Sequence, residues 1–386
     1  MAPQPVVVAL GLGMAVREAA RAGLNRVLPG GGPVPLRVEG VTDAWLGRAL
    51  RLKSGDVTSV RVVGADSGTA ARARIAVTSE SGGVPERLFV KLVPTNYLQH
   101  VMLNLFELGV REIHAYTALG DVPPVRVPRC HVAMVDPARG RSVLVLEDLS
   151  ETARFRTVLD SLTRQEAEAV ADGMADLHAA FWESDRFAGD LRPLAGRSAG
   201  AERLGNLIRR RFLGSITGPA AGLIPEEMKR ECRMLFERSG EIDAFWDAQP
   251  RTLIHGDPHL GNLFFEGAVP GFLDWQVAMA GAGIRDVAYF ACASVEPELL
   301  RTFERELVER YTARLAAAGV AVEVERQWTL YQAATTEFYL AAVCTAEAGE
   351  RMQPRDVMLS GVERAVAGVA AHDGFGVLAR LLEAER

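Results

Sequence analysis

The chain has 386 residues, enough for one large or two ordinary domains around a sizeable core. With 48% hydrophobic and 24% charged residues it is a globular chain and not a disordered one. Its 43 Lys and Arg against 49 Asp and Glu leave a net charge of −6, which argues against a sequence-independent nucleic-acid binder, and no apolar run is long enough for a membrane span.

From the N-terminus, residues 5–16 are apolar and continue through Arg17, Glu18 and Arg21 as an amphipathic helix. No basic residue precedes them, so they do not read as a signal peptide. A Pro29-Gly-Gly-Gly-Pro33 linker follows, and Thr42 and Asp43 offer a cap for a short helix carrying Trp45, Leu46, Ala49 and Leu50. Residues 57–63, 71–77 and 87–93 are β-rich runs separated by Gly/Ser/Asp turns at 64–68 and 79–85, the pattern of an antiparallel meander. A helix is expected over 103–119, then strands over 129–135 and 142–146. Beyond Asp148 the pattern is mostly helical. Thr163 and Glu166 form a capping box, and Val170, Met174, Leu177 and Phe181 recur at helical spacing behind it. Segments 201–213, 225–247, 297–318, 325–348 and 356–384 also read as helices, with one β-like island at 252–275.

The four cysteines, Cys130, Cys232, Cys292 and Cys344, lie far apart and form no C-x-x-C pair. They suggest neither a disulfide framework nor a zinc ribbon, and a reducing cytoplasm is the expected location. Only three of the 43 cations are lysines: Lys53, Lys91 and Lys229. A lysine in an apolar context therefore needs a reason.

The island carries the chemistry. It reads Leu253-Ile-His255-Gly-Asp257-Pro-His259-Leu-Gly-Asn262-Leu-Phe-Phe265 and then Gly271-Phe-Leu-Asp274-Trp-Gln276. An H-x-D-x-x-x-x-N string, an apolar strand, a turn and a second strand ending in Asp suit phosphoryl transfer. Asp257 on a tight loop can accept a proton from an attacking hydroxyl, and Asn262 and Asp274 offer hard oxygen ligands to Mg²⁺. His255 and His259 read as supports that hold the loop by hydrogen bonds. A metal-dependent hydrolase built on His255, Asp257 and His259 is an alternative, but the other histidines supply no H-x-H or H-E-x-x-H pair.

This string resembles the signature of the aminoglycoside phosphotransferase/choline kinase superfamily, closest to its ecdysteroid-kinase-like (CHK-kinase-like) branch, over roughly residues 40–350. The resemblance implies an α+β, two-lobed protein-kinase-like fold: an N-terminal extension (1–39), a small β-rich, ATP-binding N-lobe (40–147) and a larger helical C-lobe (148–386). It implies an enzyme that uses ATP and Mg²⁺ to phosphorylate a small-molecule hydroxyl acceptor, with Asp257 as catalytic base and Asn262 and Asp274 as metal ligands. Asp-Trp-Gln stands where protein kinases have Asp-Phe-Gly, which puts a flipping switch in doubt but not the ligand.

A kinase reading makes demands on the first part of the chain. Lys91 lies inside the apolar run Leu88-Phe-Val-Lys-Leu-Val93, where an ammonium needs an anionic partner, which ATP phosphate oxygens together with a helix glutamate would provide. Glu112 is that glutamate, because it shares a helical stripe with Leu105, Leu108, Tyr116 and Leu119. Ser67, Gly68 and Thr69, in the turn between the first two strands, are carried over as the phosphate loop. The backbone of Glu147 and Leu149 is carried over as the hinge that meets adenine. Asp286 is a natural N-cap for a helix beginning at Val287, and in related kinases an Asp here braces the catalytic loop. His178 reads as core.

Segments 184–250 and 293–350 should build the acceptor pocket. One face of the helix at 327–346 carries Trp328, Tyr331, Thr335, Phe338, Tyr339 and Ala342, with Glu337 away from its centre, which points to an apolar acceptor wall. A nucleotide-binding pseudokinase is the other alternative. Binding without turnover would distinguish it.

Overall fold

The computed structural model describes residues 4–27, 32–67, 70–196, 198–350 and 352–384. Five antiparallel strands, β1 (Val57–Ser67), β2 (Ala71–Ser79), β3 (Arg87–Leu92), β4 (Cys130–Asp136) and β5 (Arg141–Glu147), form one sheet in the order β1-β2-β3-β5-β4. Side chains alternate across a strand, so each face collects its own set. Ile75, Val77, Leu88, Val90, Val143 and Val145 bury one face against Val34, Val41, Trp45 and Leu46. Helix α1 spans Gln4–Val27, and α2 (Asp43–Ala49) supplies the last two residues of that cover, with Thr42 accepting the Trp45 amide as predicted. Leu144 and Leu146 face the other way, toward the large core that fills the rest of the molecule. Phe89 and Lys91 alternate with Leu88 and Val90 and belong to that second face.

Between β3 and β4 the chain makes two helices, α3 (Tyr97–Leu105) and α4 (Leu108–Leu119), where one was expected over 103–119. The break is at Glu107, whose φ is 60°. It allows α4 to press onto β5: a Cβ at Gly109 would lie 2.5 Å from the Ser142 hydroxyl. The expected turn at 64–68 is also corrected. Gly64, Ala65, Asp66 and Ser67 pair with Arg74, Ala73, Arg72 and Ala71, after a register shift between Val62 and Gly64.

Beyond Leu149 lie α5 (Arg164–Ala180), α6 (Ala199–Leu213), α7 (Glu226–Glu231), α8 (Met234–Glu237), α9 (Ser239–Asp247), α10 (Ile284–Ser294), α11 (Pro297–Leu300), α12 (Glu304–Ala317), α13 (Val324–Ala348), α14 (Arg355–His372) and α15 (Gly374–Ala384). The capping box of Thr163 and Glu166 is complete, and Val170, Met174 and Leu177 are fully buried. The long helices expected at 225–247, 297–318 and 356–384 are each interrupted. The last breaks at Asp373, whose φ is 50°. The β island forms β6 (Arg154–Phe155) with β8 (Leu263–Glu266) and β9 (Val269–Phe272), while β7 (Thr252–Ile254) pairs with β10 (Met279–Gly281), a strand the sequence did not suggest. Among the described residues no single helix is long and apolar enough to cross a membrane.

Candidate active site

The site is built on the loop from His255 to Asn262, between β7 and β8. Gly256 turns it with φ of 83°, and a Cβ there would lie 2.8 Å from the Val277 carbonyl oxygen. The turn is gripped from below. Both oxygens of the buried Asp286 carboxylate accept loop amides, from His255 at 2.6 Å and Gly256 at 2.9 Å. Asp286 is therefore not the expected N-cap: α10 already starts at Ile284, and the carboxylate leaves its first turn to hold the loop. Behind it stands His178, 3.4 Å away through Nε2 and 3.0 Å from the Tyr311 hydroxyl through Nδ1. Burial alone would raise the Asp286 pKa, but the His178 bond, the field of the imidazoles and the Gly256 amide hold it below the usual aspartate value.

His255 fastens the other side. Its Nε2 lies 2.7 Å from the Leu273 carbonyl, so it must donate, and Nδ1 accepts the Asp257 amide at 3.3 Å. Its ring packs 4.6 Å from that of the fully buried Trp275. The Asp257 carboxylate is held by both oxygens. Oδ1 accepts the Tyr289 hydroxyl at 2.6 Å, and Oδ2 accepts Asn262 Nδ2 at 3.3 Å, with His259 Nε2 3.6 Å away. Asn262 Nδ2 also donates to the Asp257 carbonyl at 2.9 Å.

On the sheet side, Lys91 Nζ donates to Glu112 at 2.8 Å and to Asp274 at 3.0 Å. The lysine and the glutamate are buried, while the Asp274 side chain is about a third exposed (31%). Burial would lower the Lys91 pKa, but the two carboxylates outweigh it and hold the ammonium above its ordinary value. Burial pushes Glu112 up and the charge of Asp274 adds to the rise, against the pull of Lys91. Asp274, although burial would raise it, is held down by Lys91. Asp274 has left-handed backbone, φ 59°, which turns its carboxylate out of the line of β9. Thus Lys91, Glu112 and Asp274 are in direct contact. Asp257, Asn262 and His259 form a second cluster, joined to the first by the His255–Leu273 bond beside Asp274.

The donor set fits a hard cation. Asn262 turns its nitrogen to Asp257, which leaves its oxygen for a ligand, and Asp274 adds a carboxylate. Among the described residues no three His, Cys, Asp or Glu side chains gather to hold a metal unaided. Two protein ligands completed by phosphate oxygens and water is the habit of Mg²⁺.

Other predicted positions are less direct. The Glu147 amide donates to the Arg129 carbonyl at 2.9 Å, so a base edge would have to use the Glu147 carbonyl and the Leu149 amide. The Leu149 carbonyl accepts from Thr152 and Ala153. Ser67 ends β1, and Gly68 and Thr69 lie outside the described residues. On α13 the aromatic stripe is largely core: Tyr339 packs on Phe375, and Trp328 and Tyr331 pack on His372. Phe338 lies edge-on to Tyr289 at 5.1 Å, while Glu337 pairs with Arg285 at 3.1 Å.

Sequence reasoning missed Tyr289, whose place in an apolar helix reads as core, and Arg126, which binds both Glu147 and Glu266. It also missed Arg111. That buried guanidinium donates to the Ala278 carbonyl at 3.3 Å and the Gly196 carbonyl at 2.5 Å, tying α4 to the helical part.

The phosphotransferase enzyme family model matches residues 62–331, from β1 through the loop and into α13. The chain belongs to this family. The resemblance carried by the His255–Asn262 string is thereby borne out at the level of the superfamily. A curated relative, protein StrN of Streptomyces griseus, is 34% identical over 99 residues, 22% of this chain and 31% of that protein, so the match spans under a third of the relative's length. A solved Ralstonia eutropha structure, designated an aminoglycoside phosphotransferase, superposes with a TM-score of 0.55 at 16% identity over 88% of this chain and 97% of that one. Choline kinase LicA of Streptococcus pneumoniae gives 0.47 at 17% identity over 82% and 94%. The Ralstonia likeness establishes the two-lobed kinase-like fold for this family member.

Proposed function

We propose that this phosphotransferase-family chain is an ATP-dependent kinase that moves the γ-phosphoryl group to a hydroxyl of a small molecule, with residues 40–147 as N-lobe and 148–386 as C-lobe. The observation that carries this reading is Lys91, shared between Glu112 and Asp274 at the end of the strand tied to the Asp257 loop. Such an ammonium, held charged by two carboxylates, is placed to pair with phosphate oxygens. In the register of the sheet Ser67 pairs with Ala71 and Arg72 with Lys91, so β1 ends and β2 begins at the Lys91 end of the sheet. That supports Ser67, Gly68 and Thr69 as a loop over phosphates.

Asp257 orients the acceptor hydroxyl and takes its proton as the oxygen bonds to phosphorus. Asn262 and Asp274 would hold Mg²⁺, which when bound neutralises charge on the phosphates. Asp286, His178 and His255 keep the base at a fixed height. The test is ADP release with Mg²⁺ and ATP across aminoglycosides, choline, sugars, nucleosides, sterols and hydroxy acids. Acceptor-dependent turnover is expected. ATP binding with no turnover on any of them would favour a silent nucleotide-binding module.

A further inference from the structure

The two oxygens of Asp257 face different surroundings. Oδ2 faces Asn262 Nδ2 at 3.3 Å and His259 Nε2 at 3.6 Å, within its own loop. Oδ1 points away from the loop toward α10, and a hydroxyl already sits on it: that of Tyr289, at 2.6 Å. That is the length of a charge-assisted O–H···O⁻ bond, and the group is the same one, a neutral hydroxyl donor, that a general base must receive from its acceptor. Tyr289 is partly buried where it packs against the core, and it rests edge-on against Phe338 of α13. One turn earlier on α10, Arg285 pairs with Glu337, next to Phe338, so α10 and α13 meet at two adjacent contacts.

We propose that Tyr289 is a stand-in for the acceptor: its hydroxyl occupies Asp257 Oδ1 in the absence of substrate, shields the base from water, and yields that position to the incoming hydroxyl. The inference rests on the kinase reading. It addresses a hazard of that chemistry, since water is also a hydroxyl nucleophile. In the wasteful reaction water loses a proton to Asp257, its oxygen bonds to the γ-phosphorus, and the bond from phosphorus to the β–γ bridging oxygen breaks. ADP and inorganic phosphate are the products. A hydroxyl already bonded to Oδ1 competes with water for the proton acceptor. An acceptor that brings its own hydroxyl must supply the binding energy to displace it.

The test uses the full chain with Mg²⁺ and ATP and no acceptor. Tyr289→Phe keeps the ring against Phe338 and removes only the donor. Hydrolysis, read as ADP release, should rise at least about threefold, a small part of the ~10²–10⁴-fold that a positioned base contributes. The KM for ATP should stay unchanged, and Asp257→Asn in the Tyr289→Phe background should abolish the gain. Hydrolysis that is unchanged, lower or undetectable in a variant that still binds ATP by calorimetry overturns the stand-in role and leaves the kinase reading untouched. Failure of the wild type to bind ATP overturns both.

Discussion

In the proposed reaction Asp257 is the base, and its surroundings suit orientation. Three groups fix it: Asn262 at Oδ2, and His255 and the Gly256 turn at its backbone, while the Tyr289 hydroxyl occupies Oδ1. Asp257→Asn keeps the shape but cannot accept the proton. It should lower kcat by about 10²–10⁴-fold with ATP affinity nearly intact. Near-full kcat on an acceptor found in the screen would remove Asp257 from the mechanism. Lys91 and Glu112 make a different kind of prediction. Each is buried, so truncating Lys91 leaves the Glu112 charge without its partner, and truncating Glu112 leaves Lys91 with Asp274 alone. Lys91→Ala and Glu112→Ala should each weaken ATP use, and the double variant should lose less than the sum, with a coupling on the order of 0.5–3 kcal/mol. Simple additivity in a full cycle of kcat/KM values would mean that the pair does not act as a unit. Asp274 complicates the cycle in an informative way: Lys91 keeps one carboxylate in Glu112→Ala, so the lysine variant should be the more damaging of the two.

At the scale of elements, α10 and the loop from His255 to Asn262 are joined by one buried carboxylate. Asp286 has its folded pKa held below the unfolded value of roughly 3.9. A depressed carboxyl contributes stability that is fully present above the unfolded pKa and is lost as pH falls through the folded one. In urea unfolding, Asp286→Asn should therefore be less stable than the wild type at pH 6, and the gap should narrow below about pH 4. A gap that stays constant into acid would show that the grip does not depend on charge. Much of this architecture was legible. The meander, the capping box at Thr163 and the Asp257 string depend on near neighbours and alternation, which a linear reading captures. What it missed depends on distant partners. The apolar stripe from Leu105 to Leu119 runs straight across the break at Glu107, because the break answers to the close approach of Gly109 to Ser142 on another strand. Gly64 to Ser67 have turn chemistry yet form strand, since β2 offers them a full set of partners. Tyr289 and Asp257 are 32 positions apart, and nothing local marks that hydroxyl as special.

At the scale of the molecule, the question is what keeps two lobes in register around a site that draws residues from both. Arg111 ties α4 to the loops at Gly196 and Ala278, which holds Glu112 beside Lys91 instead of leaving α4 free to swing. The second tie is Arg126. Its backbone carbonyl accepts the Phe272 amide, which fastens it to β9. Its guanidinium reaches Glu266 on β8 at 2.7 and 2.9 Å and Glu147 at the end of β5 at 2.9 and 3.0 Å. One fork thus clamps the sheet to the hairpin that carries Asn262 and Asp274. The three side chains are 25%, 34% and 29% exposed, so solvent screens the clamp only in part. Arg126→Ala would leave two carboxylates turned toward the same space, and we expect a loss of about 1–3 kcal/mol in urea unfolding, smaller in high salt. Arg126→Lys is the sharper test. A lysine restores the charge but offers a single nitrogen and cannot engage both carboxylates with paired bonds, so it should recover only part of the loss. Because Glu147 ends the strand that leads into the proposed hinge, both variants should also weaken ATP binding, although Arg126 itself need not touch the nucleotide. A lysine variant as stable and as tight for ATP as the wild type would show that charge alone holds the lobes, and that the fork geometry of Arg126 is incidental.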